Sequence, residues 1–243
     1  MKDHLDCILF DFGDTLIDEK VFLNEAYKGA VYSAFKYYSI SLNLEDNIIK
    51  FSNILQDKMR EFRDISPNQK EVLVRKKAIE NFLLSFNIIP NLDERDLIFK
   101  SLVDGAAYSN SLFPEAINTL QRLKNAGFKI GIVSNGLAEY TRIFLREHNL
   151  LEFFDTIIIS EEVNIEKPDS NIFNIALNFL NTKPKEAVMI GNKLYEDIVG
   201  AKNAGIKAIW MNKRNIYDDY EITPDYTINN LLQIFEILNI GEE

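Results

Sequence analysis

Two hydrophobic rhythms divide the chain. Near the start, residues 5–10 carry the unbroken apolar run Cys7-Ile8-Leu9-Phe10, which predicts a buried strand. From about 20 to 108 the apolar positions instead recur every three or four residues. Val21, Ala26, Val31, Phe35 and Tyr38 form one such series, and Ile48, Phe51, Ile54, Leu55, Met59 and Phe62 a second. Val74, Ala78, Phe82 and Phe86 form a third. This spacing places apolar side chains on one helical face. It predicts about four helices, with breaks at Ser66-Pro67-Asn68 and Pro90-Asn91.

After Pro114 the pattern alternates. Residues 115–126 read as an amphipathic helix closed by Gly127, and 129–133 as a strand ending at Ser134-Asn135-Gly136. A helix over 137–148 follows, then a strand over 156–159 and a helix over 171–180. A strand over 187–190 ends at Gly191-Asn192, a helix covers 195–204 up to Gly205, and a last strand covers 206–211. Short apolar strands alternating with helices imply an α/β fold whose parallel sheet is covered on both faces. Such doubly wound sheets hold ligands at the carboxyl ends of their strands. The polar residues Asp11, Ser134 and Asn192 collect at those ends.

Composition narrows the function classes. With 27 basic and 37 acidic residues the net charge is −10, which disfavours general binding to nucleic acid. A small anionic ligand remains compatible where a local cation or metal is present. There is no 18-residue apolar run, so no membrane span is expected, and the first six residues do not read as a signal peptide. The single cysteine, Cys7, excludes an internal disulfide and reads as a small buried apolar residue. These features point to the cytoplasm. His4 and His148 fit no motif and read as structural or surface residues.

Taken alone, an Asp after a strand reads as a cap. Four segments in order change that reading: "ILFDFGDTL", "IVSNG", "ISEEVNIEKPDSNIF" and "MIGNKLYEDIVGAKNAGIKAIW". Together they resemble the haloacid dehalogenase-like hydrolase superfamily over nearly the whole chain. The chain looks most like its helical-cap branch, which includes bacterial and archaeal nucleoside monophosphate phosphatases. The resemblance implies a Rossmann-like core over 1–18 and 109–243 and an inserted all-helical cap over 19–108, which in this family sets substrate choice. It implies a Mg²⁺-dependent phosphatase acting on a small phosphorylated metabolite, as a monomer or homodimer. Asp11 would be the nucleophile that forms an aspartyl-phosphate, with Ser134 and Lys167 completing the catalytic set. Thr15, Ser134, Asn135 and Lys167 would hold the phosphoryl group. Asp11, the backbone carbonyl of Gly13, Asn192 and Asp197 would hold the metal, with Glu196 as an aid.

Two positions depart from the family pattern. Gly13 stands where phosphatases carry the acid that protonates the leaving group. Asp14, one residue on, would point to the opposite side of an extended segment. Asn192 stands where a metal-binding Asp is usual, so Mg²⁺ affinity should fall. The expectation is therefore an attenuated phosphatase, better with activated leaving groups. Two other readings stay open: a non-catalytic phospho-ligand-binding protein, and a metal-independent 2-haloacid dehalogenase. The phosphonate-cleaving branch would need a cap lysine, for which Lys28 is the candidate. The run Arg75-Lys76-Lys77 reads as a solvated helix face rather than as a substrate contact.

Overall fold

The computed structural model describes residues 5–215 and 222–240; His4 lies outside them. The elements run β1 (Cys7–Phe10), α1 (Glu19–Tyr37), α2 (Leu44–Glu61), α3 (Pro67–Leu84), α4 (Leu92–Ala107), α5 (Ala116–Asn125) and β2 (Lys129–Ser134). They continue with α6 (Ala138–Glu147), β3 (Thr156–Ile159), α7 (Ser160–Val163), α8 (Ser170–Leu180) and β4 (Ala187–Gly191). A π-helical turn at Leu194–Val199 leads into α9 (Gly200–Asn203), followed by β5 (Lys207–Met211), β6 (Tyr226–Ile228) and α10 (Ile234–Leu238). The chain divides into two compact units. One comprises residues 1–18, 112–136 and 149–243; the other comprises 19–111 and 137–148.

The first unit is built on one parallel sheet with strand order β3-β2-β1-β4-β5-β6. The order reverses direction beside β1, whose neighbours are β2 and β4. In doubly wound sheets the crevice at such a reversal is where ligands sit. All four residues of β1 are fully buried, as a central strand covered on both faces requires. On one face Cys7, Leu9, Val133 and Met189 pack against Ile172, Phe173 and Ala176 of α8. Burial pushes the Cys7 thiol up to about 12, so it stays protonated and apolar in character. The registers set Phe10 beside Ile132 and Ile190, so Asp11 emerges beside the last residues of β2 and β4.

The second unit is helical throughout. Its boundaries follow local chemistry. Asn43 caps α2 by accepting from Asp46 N–H at 3.0 Å, and Pro67 occupies the first turn of α3. Asn91 and Glu94 form a reciprocal capping box on α4, at 3.0 and 2.9 Å. Between α1 and α4 two glycines face each other's partner backbone. A Cβ on Gly29 would lie 2.2 Å from Ser101 O, and one on Gly105 would lie 2.2 Å from Glu25 O. Backbone-to-backbone contact of this kind admits no side chain. Phe22 of α1 meets Tyr140 and Phe144 of α6 edge to face, which ties α6 into this unit. His148 closes α6, stacked on Phe144 and bonded to its carbonyl at 2.9 Å.

The short edge strand β6 was not expected from the sequence. It has three residues, two of them exposed, and so lacks the apolar run that marks the other strands. No helix among the described residues is long and apolar enough to cross a membrane.

Candidate active site

Asp11 follows β1 directly. Its backbone N–H donates to Ile190 O of β4 at 2.9 Å, which carries the parallel pairing one residue past the strand and fixes the carboxylate at the reversal point. The carboxylate is nearly buried, and Lys167 lies against it. Lys167 Nζ donates to Asp11 Oδ1 at 2.6 Å, to Asp197 Oδ1 at 2.6 Å and to Val133 O at 2.8 Å. A lysine ammonium has three protons, and all three are used. Lys167 is 2% exposed and Asp197 0%, so a lone charge in either place would be costly. Burial by itself would discharge Lys167; Asp11 and Asp197 outweigh it and hold the ammonium well above the ordinary lysine range.

Asp197 stands in the opposite position. Burial raises its carboxyl, Lys167 draws it down and the Asp11 charge raises it again, with a result of about 6. Its second oxygen accepts from Lys193 N–H at 2.9 Å, across the start of the π-helical turn. A Cβ on Gly191 would fall 2.3 Å from Asp197 Cγ, so glycine at the end of β4 is what lets this carboxylate reach Lys167.

Asn135 does not end in open space. Its amide oxygen accepts from Lys167 N–H at 2.8 Å, and its amide nitrogen donates to Lys167 O at 3.0 Å and to Glu196 Oε2 at 3.1 Å. This residue, expected to bind phosphate, grips the lysine backbone on both sides. Glu196 is engaged by Asn135 and by Lys193 Nζ at 3.2 Å. Ser134 is 5% exposed at the end of β2, and among the described residues its hydroxyl reaches Asn135 O at the limiting distance of 3.5 Å. Thr15 is fully buried and donates to Asp11 Oδ2 over a long 3.4 Å. Asp11 Oδ2 is therefore the less engaged oxygen of the nucleophile candidate.

The loop after Asp11 departs from the extended path expected of it. Asp14, not Gly13, takes the left-handed conformation, at φ 49°. Aspartate tolerates that region better than most residues. Gly13 lies outside it, so its backbone does not demand glycine. The Asp14 carboxylate accepts from Arg214 at 2.8 Å, an ion pair across 200 positions that no sequence pattern predicts.

The metal set can be tested on one atom. Asn192 Oδ1 is buried and has no hydrogen-bond partner among the described residues. Trp210 Nε1 donates to Asn192 O at 2.9 Å, which holds the residue in place. Asn192 also lines a cavity of about 150 Å³ with Asp14, Asp18, Phe113 and residues 211–214. An orphaned, pre-positioned amide oxygen suits a hard cation, as do Asp11 and a backbone carbonyl. Asp197 is the least available of the expected ligands, because both its oxygens already accept hydrogen bonds. No cluster of three or more His, Cys, Asp or Glu residues suited to a metal occurs among the described residues.

In the helical unit one expectation fails. Lys76 and Lys77 do lie on the surface, paired with Asp96 at 2.9 Å and Glu80 at 2.8 Å. Arg75 is buried instead, 7% exposed, and donates through Nη1 to Glu71 Oε2 at 2.6 Å and Glu71 O at 2.8 Å. Three consecutive residues of a helix are turned 100° apart, so they cannot share one face. Lys28 is exposed and sits 3.4 Å from Glu25.

Comparisons with known proteins agree on one group. The family model described as haloacid dehalogenase-like hydrolase matches residues 8–211. A glyceraldehyde 3-phosphate phosphatase of Pyrococcus furiosus is 31% identical over 242 residues, covering 95% of this chain and 92% of that protein. An (S)-2-haloacid dehalogenase 1 of a Pseudomonas species is 31% identical over 163 residues, covering 67% and 69%. Among solved structures, the HAD-hydrolase YfnB of Bacillus subtilis bound to magnesium has a TM-score of 0.76 and 25% identity, covering 98% of this chain and 100% of that one.

Proposed function

Because the chain belongs to the haloacid dehalogenase-like hydrolase family, we propose that this enzyme is a Mg²⁺-dependent phosphatase of a small phosphorylated metabolite, with an attenuated site. The observation that carries the reading is Lys167 held between Asp11 and Asp197 at the strand ends. Asp11 attacks phosphorus through Oδ2 and forms an aspartyl-phosphate as the bond to the leaving oxygen breaks. Lys167 offsets the charge that gathers on the phosphoryl oxygens, and Ser134 donates to one of them. Asn135 acts by fixing Lys167. Water then releases phosphate and restores the carboxylate.

Asp11, Gly13 O, Asn192 and Asp197 are the residues that would hold Mg²⁺, with Asn192 Oδ1 the most available. Bound there, the ion would neutralise the substrate and orient its phosphoryl group. The helical unit serves as the substrate-selecting cap of this family. Gly13 leaves the leaving oxygen without a side-chain proton donor, a loss of about 10²- to 10⁴-fold for a poor leaving group. The phosphatase names of the relatives support phosphate monoesters as the substrate class.

The test is turnover of p-nitrophenyl phosphate with Mg²⁺ in wild type and Asp11→Asn. Metal-dependent turnover that disappears in the variant is expected. Metal-independent release of halide from 2-chloropropionate, with no phosphatase activity, would replace this reading by the dehalogenase one. Gly13→Asp should raise turnover of an alkyl phosphate at least tenfold and p-nitrophenyl phosphate much less. Equal effects on both would remove the account of Gly13.

A further inference from the structure

The turn after Asp11 is held from outside by a residue that the phosphoryl chemistry does not use. Within the turn, Leu16 N–H donates to Phe12 O at 3.0 Å, Ile17 N–H donates to the same carbonyl at 3.3 Å, and Gly13 bridges to Ile17. These bonds come from one short stretch and can move with it. Arg214 comes from the stretch after β5. Its Nη2 donates to Asp14 Oδ1 at 2.8 Å and lies 3.8 Å from Asp18 Oδ1, so it reaches two points of the turn. The arm that carries Arg214 is itself fixed. Asn212 N–H donates to Ile228 O of β6 at 2.7 Å. Lys213 Nζ lies 2.6 Å from Glu115 Oε1 and 3.7 Å from the centre of the Phe113 ring.

The peptide plane between Gly13 and Asp14 carries the Gly13 carbonyl. Such a plane is rigid, and its tilt is governed by ψ of the first residue and φ of the second. Gly13 has no Cβ and restrains its own ψ little. Asp14, at φ 49°, therefore has the larger part in setting where the carbonyl points. A non-glycine residue stays in the left-handed region when its surroundings hold it there. Asp14, Arg214 and Asn192 line the same cavity of about 150 Å³, so the ion pair and the residue with the orphaned Oδ1 border one space.

We propose that Arg214 is a positioning residue for the metal site: by holding Asp14 it fixes the direction of the Gly13 carbonyl as a ligand. This rests on the reading of the site as Mg²⁺-dependent. Charge alone would work the other way. A cation beside a metal site repels the ion, and an Asp14 freed of its partner would attract it. Removal of Arg214 would then tighten metal binding. Weaker binding therefore reports position rather than charge.

The experiment is titration of the metal-free protein with Mn²⁺, counted by the EPR signal of the free ion. Mn²⁺ takes the same hard oxygen donors as Mg²⁺. Binding that disappears in Asp11→Asn is assigned to the site. The Arg214 side chain is half exposed, so Arg214→Ala opens no cavity in the core. An ion pair this exposed is worth up to about fivefold in an equilibrium. Arg214→Ala should therefore bind Mn²⁺ about two- to fivefold more weakly, and without metal its Leu16 and Ile17 amides should exchange with deuterium faster by a similar factor. Asp14→Gly reaches positive φ without help, so adding Arg214→Ala to it should change Mn²⁺ affinity by less than about 1.5-fold. Equal or tighter binding in Arg214→Ala overturns the inference, as does unchanged amide exchange or a further loss in the double variant. A wild type that binds no Mn²⁺ at the site overturns the metal reading itself and this inference with it, so the two failures are distinct.

Discussion

Two buried cations anchor the two units, and they are satisfied very differently. Lys167 and Arg75 each lie 2.6 Å from a carboxylate oxygen, and each is almost wholly buried. Lys167 gives its three protons to three acceptors from three separate stretches of chain. Arg75 spends its bonds on one residue four positions away on its own helix, and its Nε edge is left over. The first arrangement ties segments together and fixes a charge at a single point. The second fixes little beyond one helical turn.

The largest expected effect tests the first half of that contrast. Lys167→Met leaves Asp11 and Asp197 facing each other without a cation. Breaking a buried ion pair costs about 3 to 5 kcal/mol, and two stranded acids place this variant at or above the upper end. Urea unfolding should register a loss of about 5 kcal/mol, and turnover should fall at least 10³-fold. Arg75→Met strands only Glu71, and the expected loss is about 3 kcal/mol. If Arg75→Met destabilises as much as Lys167→Met, the two centres are not different in kind.

The sequence made these regions legible to unequal degrees. Asp11, Ser134, Asn192 and Asp197 follow short apolar strands, and a parallel sheet brings its strand ends together whatever the loops do. Lys167 could be placed only by its motif, since no periodicity predicts a lysine 156 positions from its acid. The run Arg75-Lys76-Lys77 misleads because three consecutive charges on a helix do not form one surface. A signal was present: Glu71 and Arg75 are four apart, and they flank Val74 and Ala78 on the buried side of α3. The unpartnered Tyr140 hydroxyl had no signal, because α6 and α3 meet only in the folded chain. The ends of the Asp14 loop were invisible for the same reason, and β6 is too short to produce an alternation.

A pH experiment sharpens the view of the saturated centre. Asp197 has a carboxyl raised by burial to about 6, whereas an unfolded aspartate titrates near 4. The folded state therefore holds this proton more tightly than the unfolded one. Its contribution to stability is fully present below about pH 4 and is lost as pH rises through about 6. The loss is on the order of 3 kcal/mol. Other carboxylates titrate in the same window, so the quantity to measure is the difference between wild type and Asp197→Asn, by urea unfolding with the metal removed. The stability of wild type relative to the variant should fall between pH 4 and 6 and then level off. A difference that rises over that range would mean that Lys167 outweighs burial at Asp197.

The smallest expected effect is the most discriminating for the open centre. A hydroxyl that makes no hydrogen bond contributes nothing to the fold through one, and a buried unsatisfied polar group carries a desolvation cost of about 1 to 3 kcal/mol. Tyr140→Phe keeps the ring that packs on Phe22 and beneath Arg75. Its unfolding free energy should therefore be unchanged within about 0.5 kcal/mol, or slightly higher than wild type. A loss beyond about 1 kcal/mol would mean that the hydroxyl is bonded within the protein, most simply to Arg75, and the open edge would close. A stability that holds shows that the hydroxyl is not kept for folding. Lys167 cannot be separated that way, because its three bonds serve both ends at once.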